Sequence, residues 1–280
     1  MTAAANTLPA RTIRIPAPTV LAAVVVVLFV IAAIFPSLLA PYDAFHVDLG
    51  ETLRPPSFAH PFGTDQSGRD VLSRVVSGAG ASLLIGLGAT AVAAALAVVL
   101  GVAAGLGGRL LGGGVNRLIE TLFAFPVLVL ALLLITVFGP GVSTLVIAVG
   151  VANAPGYARI VRGQVLSVRR SEYVEAAHAT GHSPARVLLR HILPNALRPL
   201  VVAGSLGIGQ AIVWASGLAF LGLGVAPPSA EWGALLNDGR TYVTVAWWVE
   251  VLPGAVIVLV ALALTALGRA MQRRFGKESG

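Results

Sequence analysis

The sequence predicts an all-α, polytopic membrane protein: six transmembrane helices with a short helical knuckle between the fourth and the fifth. Three observations predict it. Hydrophobic residues make up 56% of the 280-residue chain and charged residues only 11%, with mean hydropathy +0.87, more apolar surface than a soluble core hides. The apolar residues fall in runs long enough to cross a hydrocarbon layer of about 30 Å. The basic residues also fall on one side. With six spans and both ends inside, the inner segments hold Arg11, Arg14, Arg109, Arg117, seven arginines from Arg159 to Arg198 and four bases from Arg269 to Lys277. Only Arg54, Arg69, Arg74 and Arg240 of the 19 fall outside, so the excess of inner positive charge selects this orientation.

Composition also excludes several functions. There is no cysteine, hence no thiol catalysis, disulfide or Cys-based metal site. Lys277 is the single lysine and no GxxxxGK[ST] loop exists, so the chain carries no P-loop ATPase. The net charge of +7 is explained by retention on the inner face rather than by nucleic acid. His46, His60, His178, His182 and His191 are scattered. His178 and His182 lie four apart, but Gly181 breaks the helix between them and no third ligand is near, so no metal site is expected. No nucleophile has a base beside it, and no catalytic residue is assigned.

In order, residues 1–17 read as a polar cytoplasmic tail. Val20 to Ala40 is the first span, a retained anchor rather than a signal peptide, because Phe35-Pro36-Ser37-Leu38-Leu39 offers no small-residue cleavage site. Residues 41–75 form a polar external loop. In it Gly63 and Gly68 allow turns, Ser67 or Thr64 is placed to cap the next helix, and Asp70 and Arg74, four apart, are placed to pair. Ala79 to Leu106 is the second span, with a small-residue face at Gly101 and Gly105 for close packing.

Gly107 to Gly114 is an inner turn. Val115 to Phe138 is the third span, with Pro126 within it and Glu120 at its inner end, paired with Arg117 or Arg109. Gly139-Pro140-Gly141 turns outside. Val142 to Ala158 is the fourth span, interrupted at Asn153-Ala154-Pro155-Gly156. Leu197 to Leu223 is the fifth. It holds Gln210, Trp214 and Ser216; Asn153, Gln210 and Ser216 are candidates to line a pathway or to hydrogen-bond between helices. Trp232, Trp247 and Trp248 suit the headgroup level, and Val251 to Gly268 closes the sixth span.

Between spans four and five lies SEYVEAAHATGHSPARVLLRHILPN, residues 171–195. Ser171 is placed to cap a first short helix that begins with Glu172, where the helix dipole favours negative charge, and Gly181 stops it. Ser183-Pro184 starts a second helix, which Pro194 is expected to end. Glu175-Ala176-Ala177, then Gly181, then Leu193-Pro194 resembles the EAA loop of ABC-importer permeases. His191 stands where many members have Ile, and the form RHILPN is similar to the dipeptide/oligopeptide branch. His60 to Asp70, Pro155 to Gln164 and Pro227 to Gly233 resemble the same branch.

The resemblance implies a permease domain over 18–280, with an external loop 41–75 and a cytoplasmic EAA loop 159–198. It implies a bacterial inner-membrane subunit with both termini cytoplasmic, working with a second homologous permease, two ATP-binding subunits and an extracytoplasmic solute-binding protein. This chain would bind no cofactor; ATP and Mg would sit on the ATPase partners. Glu175, Ala176, Ala177, Gly181, Leu193 and Pro194 would couple to the ATPase. Asp65, Arg69, Asp70 and Glu231 would contact the binding protein, unless the segment only orients span two. The cargo implied is a di- or oligopeptide, with nickel or another small solute as the alternative. A secondary transporter would need charged residues at mid-membrane and inverted repeats, and the spans are nearly bare of charge. A structural anchor would leave the knuckle without purpose.

Overall fold

The computed structural model describes residues 16–277, and among these no strand forms. The tail expected over 1–17 lies outside the described residues except for its last two positions. The helices are α1 (Ala17–Ile34), α2 (Val71–Leu106), α3 (Gly113–Phe123), α4 (Val127–Phe138), α5 (Val142–Arg169), α6 (Glu172–Ala179), α7 (Pro184–Val187), α8 (Leu193–Ala196), α9 (Arg198–Leu218), α10 (Trp232–Gly239) and α11 (Trp248–Lys277). Five of them are long and apolar enough to cross a membrane: α1, α2, α5, α9 with its extension to Leu223, and α11. The pair Gly108–Phe123 and Val127–Phe138 is bent by 95° and brings the number of candidate spans to six only when it is counted as one.

The bend has a local cause. Pro126 has no N–H to give back to the preceding turn and forces Phe125 out of the helical region, so α3 stops at Phe123 and Pro126 becomes the N-cap of α4. The straight third span expected from the sequence is therefore two short helices. Pro155 does the opposite: α5 runs through it without a break, correcting the expected interruption. Close packing against α2 explains the difference. A Cβ on Gly150 would stand 2.7 Å from Val92, and Cβ atoms on Gly101 and Gly105 would stand 2.6 Å from Val161 and Val165. Small residues on both helices let α2 and α5 approach along their length, and this packing supports an unbroken α5.

α2 begins at Val71, earlier than expected, and at about 1.5 Å per residue its 36 residues reach about 54 Å, well beyond the apolar thickness of a bilayer. Its start is tied into the polar loop: Ser73 Oγ accepts from the Tyr42 amide at 3.0 Å, and the Val71 amide donates to the Gly63 carbonyl at 3.0 Å. Asp70, not Ser67 or Thr64, caps it by accepting from the Ser73 amide at 2.7 Å. Residues 41–70 are turns, with one 3-10 turn at Leu49–Glu51, wrapped around that cap.

α9 lies against α2 and α5, α11 against α9, and α1 against α11 and α2. The core has three parts: Val71, Val75, Trp232 and Val260 at the loop end, Ile85, Leu145 and Val149 in the middle, and Val161, Val174 and Ile192 at the knuckle end. The large apolar side chains left uncovered on α1, α4 and α11, such as Val24, Leu133 and Leu262, suit a lipid surround.

Candidate coupling knuckle and pathway cavity

The knuckle is built as two helices around one glycine. α6 ends in a Schellman turn: the Gly181 amide donates to the His178 carbonyl at 3.0 Å and the His182 amide to the Ala177 carbonyl at 3.2 Å. Gly181 sits at φ +79°, a conformation that other residues rarely adopt. Ser183 then caps α7 by accepting from the Arg186 amide at 3.4 Å. Ser171 precedes α6 but caps nothing with its side chain; its hydroxyl donates to the Val168 carbonyl at 2.6 Å.

Pro194 does not end the second helix. A π-helical turn over Leu188–Ile192 absorbs the missing hydrogen bond, and α8 starts at Leu193 with Pro194 in its first turn.

The expected coupling residues divide by face. Val174 and Ala177 point into the protein and pack, with Val187 and Ile192, against Ala97, Ile119, Val161 and Val165. Glu175, Ala176, Gly181 and Pro194 are exposed, and Leu193 is half-buried. Ala177 is therefore small for the sake of its own core and not for an external cleft. The outward face offers Glu175 and Ala176 beside Tyr173 and the arginines Arg186 and Arg190. The knuckle packs directly on α5.

Further along α5, at the α3–α4 bend, opens a cavity of about 430 Å³. Asn153 and Gln210 both line it, with Tyr157, Phe123, Phe125 and Ile160. Its polar groups are two carboxamides and a phenol, without a charged side chain. Asn153 uses its amide nitrogen locally, donating to the Val149 carbonyl at 2.8 Å, which leaves the side-chain oxygen as its free acceptor. The Arg159 guanidinium lies 4.6 Å from the centre of the Phe123 ring, fixing that ring at the rim. Tyr157 is the lining residue that reasoning from sequence misses; its spacing of four from Asn153 on one helix is the signal that finds it. Ser216 lies elsewhere, buried near the far end of α9.

At the loop end, Asp65, Arg69, Asp70 and Glu231 are only 1%, 8%, 3% and 2% exposed. They do not form a docking surface for another protein, because the chain itself uses them. Asp65 receives Arg69 Nε at 2.7 Å and Arg74 Nη1 at 2.6 Å. Arg74 also donates to the Ser229 carbonyl at 3.0 Å and approaches Asp238 at 3.6 Å. Asp70 pairs with His60 Nδ1 at 2.9 Å rather than with Arg74. Glu231 caps α10, accepting from the Gly233 and Ala234 amides at 2.9 Å each and from Ser82 at 3.3 Å.

Burial raises the Glu231 carboxyl above its ordinary value, against the pull of these bonds. Burial also raises Asp238, with Arg74 acting the other way. Trp232 and Trp248 are buried here too, donating to the Val75 carbonyl at 2.8 Å and the Thr64 carbonyl at 3.1 Å; only Trp247 is exposed as expected of a headgroup residue. Glu120 sits 3.8 Å from Arg117, as the sequence suggests.

Residues 97–278 match the family described as binding-protein-dependent transport system inner membrane component. The chain belongs to that family. This transport permease is 40% identical, over 94% of its length and 88% of the relative's, to an Escherichia coli K12 protein named as a probable D,D-dipeptide transport system permease. It is 38% identical, over 88% of its length and 81% of the relative's, to a dipeptide transport system permease of Alkalihalophilus pseudofirmus. Among solved structures, an inward-facing methionine ABC transporter matches with a TM-score of 0.57 at 18% identity, over 72% of this chain and 95% of that one, a likeness of fold. The permease is thus a transport subunit of an inner-membrane ABC importer and not an enzyme. Its family works with ATPase and substrate-binding subunits.

Proposed function

We propose that this permease imports di- or oligopeptides, and that the cavity at the α3–α4 bend is part of its translocation path. The observation that carries the reading is the joining of that cavity to the knuckle through one rigid helix: α5 presents Asn153 and Tyr157 to the cavity and Val161 and Val165 to the knuckle. The relatives' names point to peptides. The cavity agrees: carboxamides and a phenol match the donors and acceptors of peptide amides, whereas a divalent cation such as nickel takes imidazole, thiolate or carboxylate.

In this reading the knuckle faces the cytoplasm, as do both termini, and Glu175 with Ala176 enters a cleft of an ATP-binding subunit. A second homologous permease supplies the facing half of the path. Two ATP-binding subunits hold ATP and Mg, and an extracytoplasmic binding protein delivers the cargo. Closure of the ATPases pushes the knuckle, α5 follows, and the cavity changes its exposure from one side to the other. The test is ATP-driven uptake of a labelled dipeptide into vesicles holding the assembled importer. Glu175→Arg and Gly181→Leu should each abolish uptake and the coupling of ATP hydrolysis while the chain still inserts. Normal uptake by both variants would refute the coupling role.

A further inference from the structure

The polar loop over 41–70 holds one aromatic ring wholly clear of the chain. Phe58 is fully exposed. It stands with Ala59 at the tip of a closed turn: the Ser57 amide donates to the His60 carbonyl at 2.8 Å, and the His60 amide donates to the Ser57 hydroxyl at 3.1 Å. The Tyr42 phenol holds the tip from the side, donating to the Ala59 carbonyl at 2.9 Å, and its ring lies on that of His60 with centroids 4.8 Å apart. His60 is tied to Asp70, the cap of α2, and the Tyr42 amide to Ser73 in the first turn of that helix. Pro55, Pro56 and Pro61 fix the backbone on both sides of the tip. Phe58 is thus a bare ring on a stiff mount.

That mount adds nothing to the core of the chain. A large aromatic side chain held in place before it is buried is, however, what a binding anchor requires, because little freedom is lost on contact. Hydrocarbon does not cover it: Asp43 and Asp48 are exposed in the same loop, and Glu51 pairs with Arg54 at 3.2 Å on its surface. With Arg54 taken by Glu51, the carboxylates of Asp43 and Asp48 leave this surface negative. A second permease suits the ring less well. The cavity that it would complete opens among α3, α4, α5 and α9, whereas the loop is mounted on α2 and, through Trp248, on the start of α11.

The family transports in dependence on a binding protein and works with a substrate-binding subunit. We propose that Phe58 is the anchor on which this permease receives that subunit. The ring enters an apolar pocket of the subunit, and basic residues around the pocket meet Asp43 and Asp48. The buried cluster of Asp65, Arg69 and Arg74 is then the foundation of the contact and not the contact itself. This rests on the reading in which the knuckle faces the cytoplasm, since the loop lies at the other end of the bundle.

The test measures docking apart from transport. The assembled importer in nanodiscs is titrated with its purified, labelled substrate-binding subunit. Phe58→Ala should weaken docking about tenfold or more, the usual weight of an aromatic anchor, and Phe58→Leu should weaken it less. Neither should change the melting temperature of the permease, because the side chain rests on nothing in the chain. Docking of the wild type should weaken as salt is added. In uptake, Phe58→Ala should raise the concentration of loaded binding subunit needed for half the maximal rate and leave the maximal rate unchanged.

Wild-type docking by Phe58→Ala, or docking indifferent to salt, would overturn the proposal. So would release of the second permease by Phe58→Ala, which would assign the ring to that partner. Stronger quenching of Phe58→Trp than of the wild type by brominated lipid would assign it to the membrane surface, with the same result. The reading of the orientation fails separately: in this cysteine-free chain, an impermeant thiol reagent outside intact cells would then leave Phe58→Cys unlabelled.

Discussion

The phenol oxygen of Tyr157 stands 1.8 Å from the point that a β-carbon on Gly207 would occupy. α5 and α9 meet at this spot on the wall of the cavity, and the glycine is what lets the ring lie where it does. Gly207→Ala should push the Tyr157 ring into the cavity at a cost of about 1–3 kcal/mol, the usual range for overpacking. Peptide uptake should fall several-fold more than the amount of inserted protein does. Adding Tyr157→Phe removes the clashing oxygen and should restore part of the uptake. Vesicle transport by the single and double variants, at matched protein levels, checks this.

Gly78 presents a harder limit. A β-carbon there would lie 1.8 Å from the Ala230 carbonyl oxygen, a backbone atom that cannot rotate away. The contact fixes the segment before α10 against α2, beside the bond from Trp232 Nε1 to the Val75 carbonyl. Gly78→Ala should prevent accumulation of folded protein, whereas Trp232→Phe, which leaves one buried acceptor unpaired, should cost about 1–3 kcal/mol. Expression with a folding reporter, and thermal unfolding in detergent, separate the two outcomes.

Asp65 balances two buried arginines. Asp65→Asn would leave Arg69 and Arg74 without their shared carboxylate, and loss of one partner from a buried ion pair costs about 3–5 kcal/mol. The melting temperature of the purified subunit should drop sharply, and adding Arg69→Ala should recover little, because Arg74 is the more deeply buried of the two. A wild-type melting temperature in Asp65→Asn would show that the cluster is dispensable.

The same region predicts a pH dependence. Glu231 and Asp238 are both raised above ordinary carboxylates in the folded chain, so the folded state holds protons that the unfolded chain has released. Stability should then decline as pH rises from the ordinary carboxylate range through these raised values, and recover as pH falls. Glu231→Gln keeps an acceptor for the α10 amides and removes one titrating group. Its melting temperature should vary less with pH than that of the wild type. An equal slope in the two proteins would exclude Glu231 as a source.

How much of this could be read in the sequence depended on the range of the forces involved. The Gly181 turn was legible because a Schellman turn is local. The fates of Pro126 and Pro155 were not. Both lie in apolar stretches, but only the second sits in a helix packed through glycine contacts against a neighbouring one. Nor could burial of Glu231 and Trp232 be read from composition. It arises because α10 folds back onto α2, α9 and α11, partners distant along the chain. Arg74 joins Asp65 and Asp238 for the same reason, whereas spacing alone suggested Asp70.

The two alanines of the knuckle allow stability to be separated from coupling. Ala177 is buried against the knuckle-end core and Ala176, its neighbour in sequence, is exposed on the opposite face. Ala177→Leu should therefore strain the chain itself, by about 1–3 kcal/mol, and lower its melting temperature before any partner is present. Ala176→Leu should leave the melting temperature of the isolated subunit unchanged, because nothing in the chain lies over it. In the assembled importer the order should reverse. Ala176→Leu should weaken binding of the ATPase subunits and slow uptake strongly, since a larger side chain meets the cleft wall that Glu175 and Ala176 are proposed to enter. Co-purification of the ATPase with each variant, alongside melting of the isolated subunit, reads both effects. If Ala176→Leu bound the ATPase and drove uptake as the wild type does, the exposed face of α6 would not be the surface through which force enters this protein.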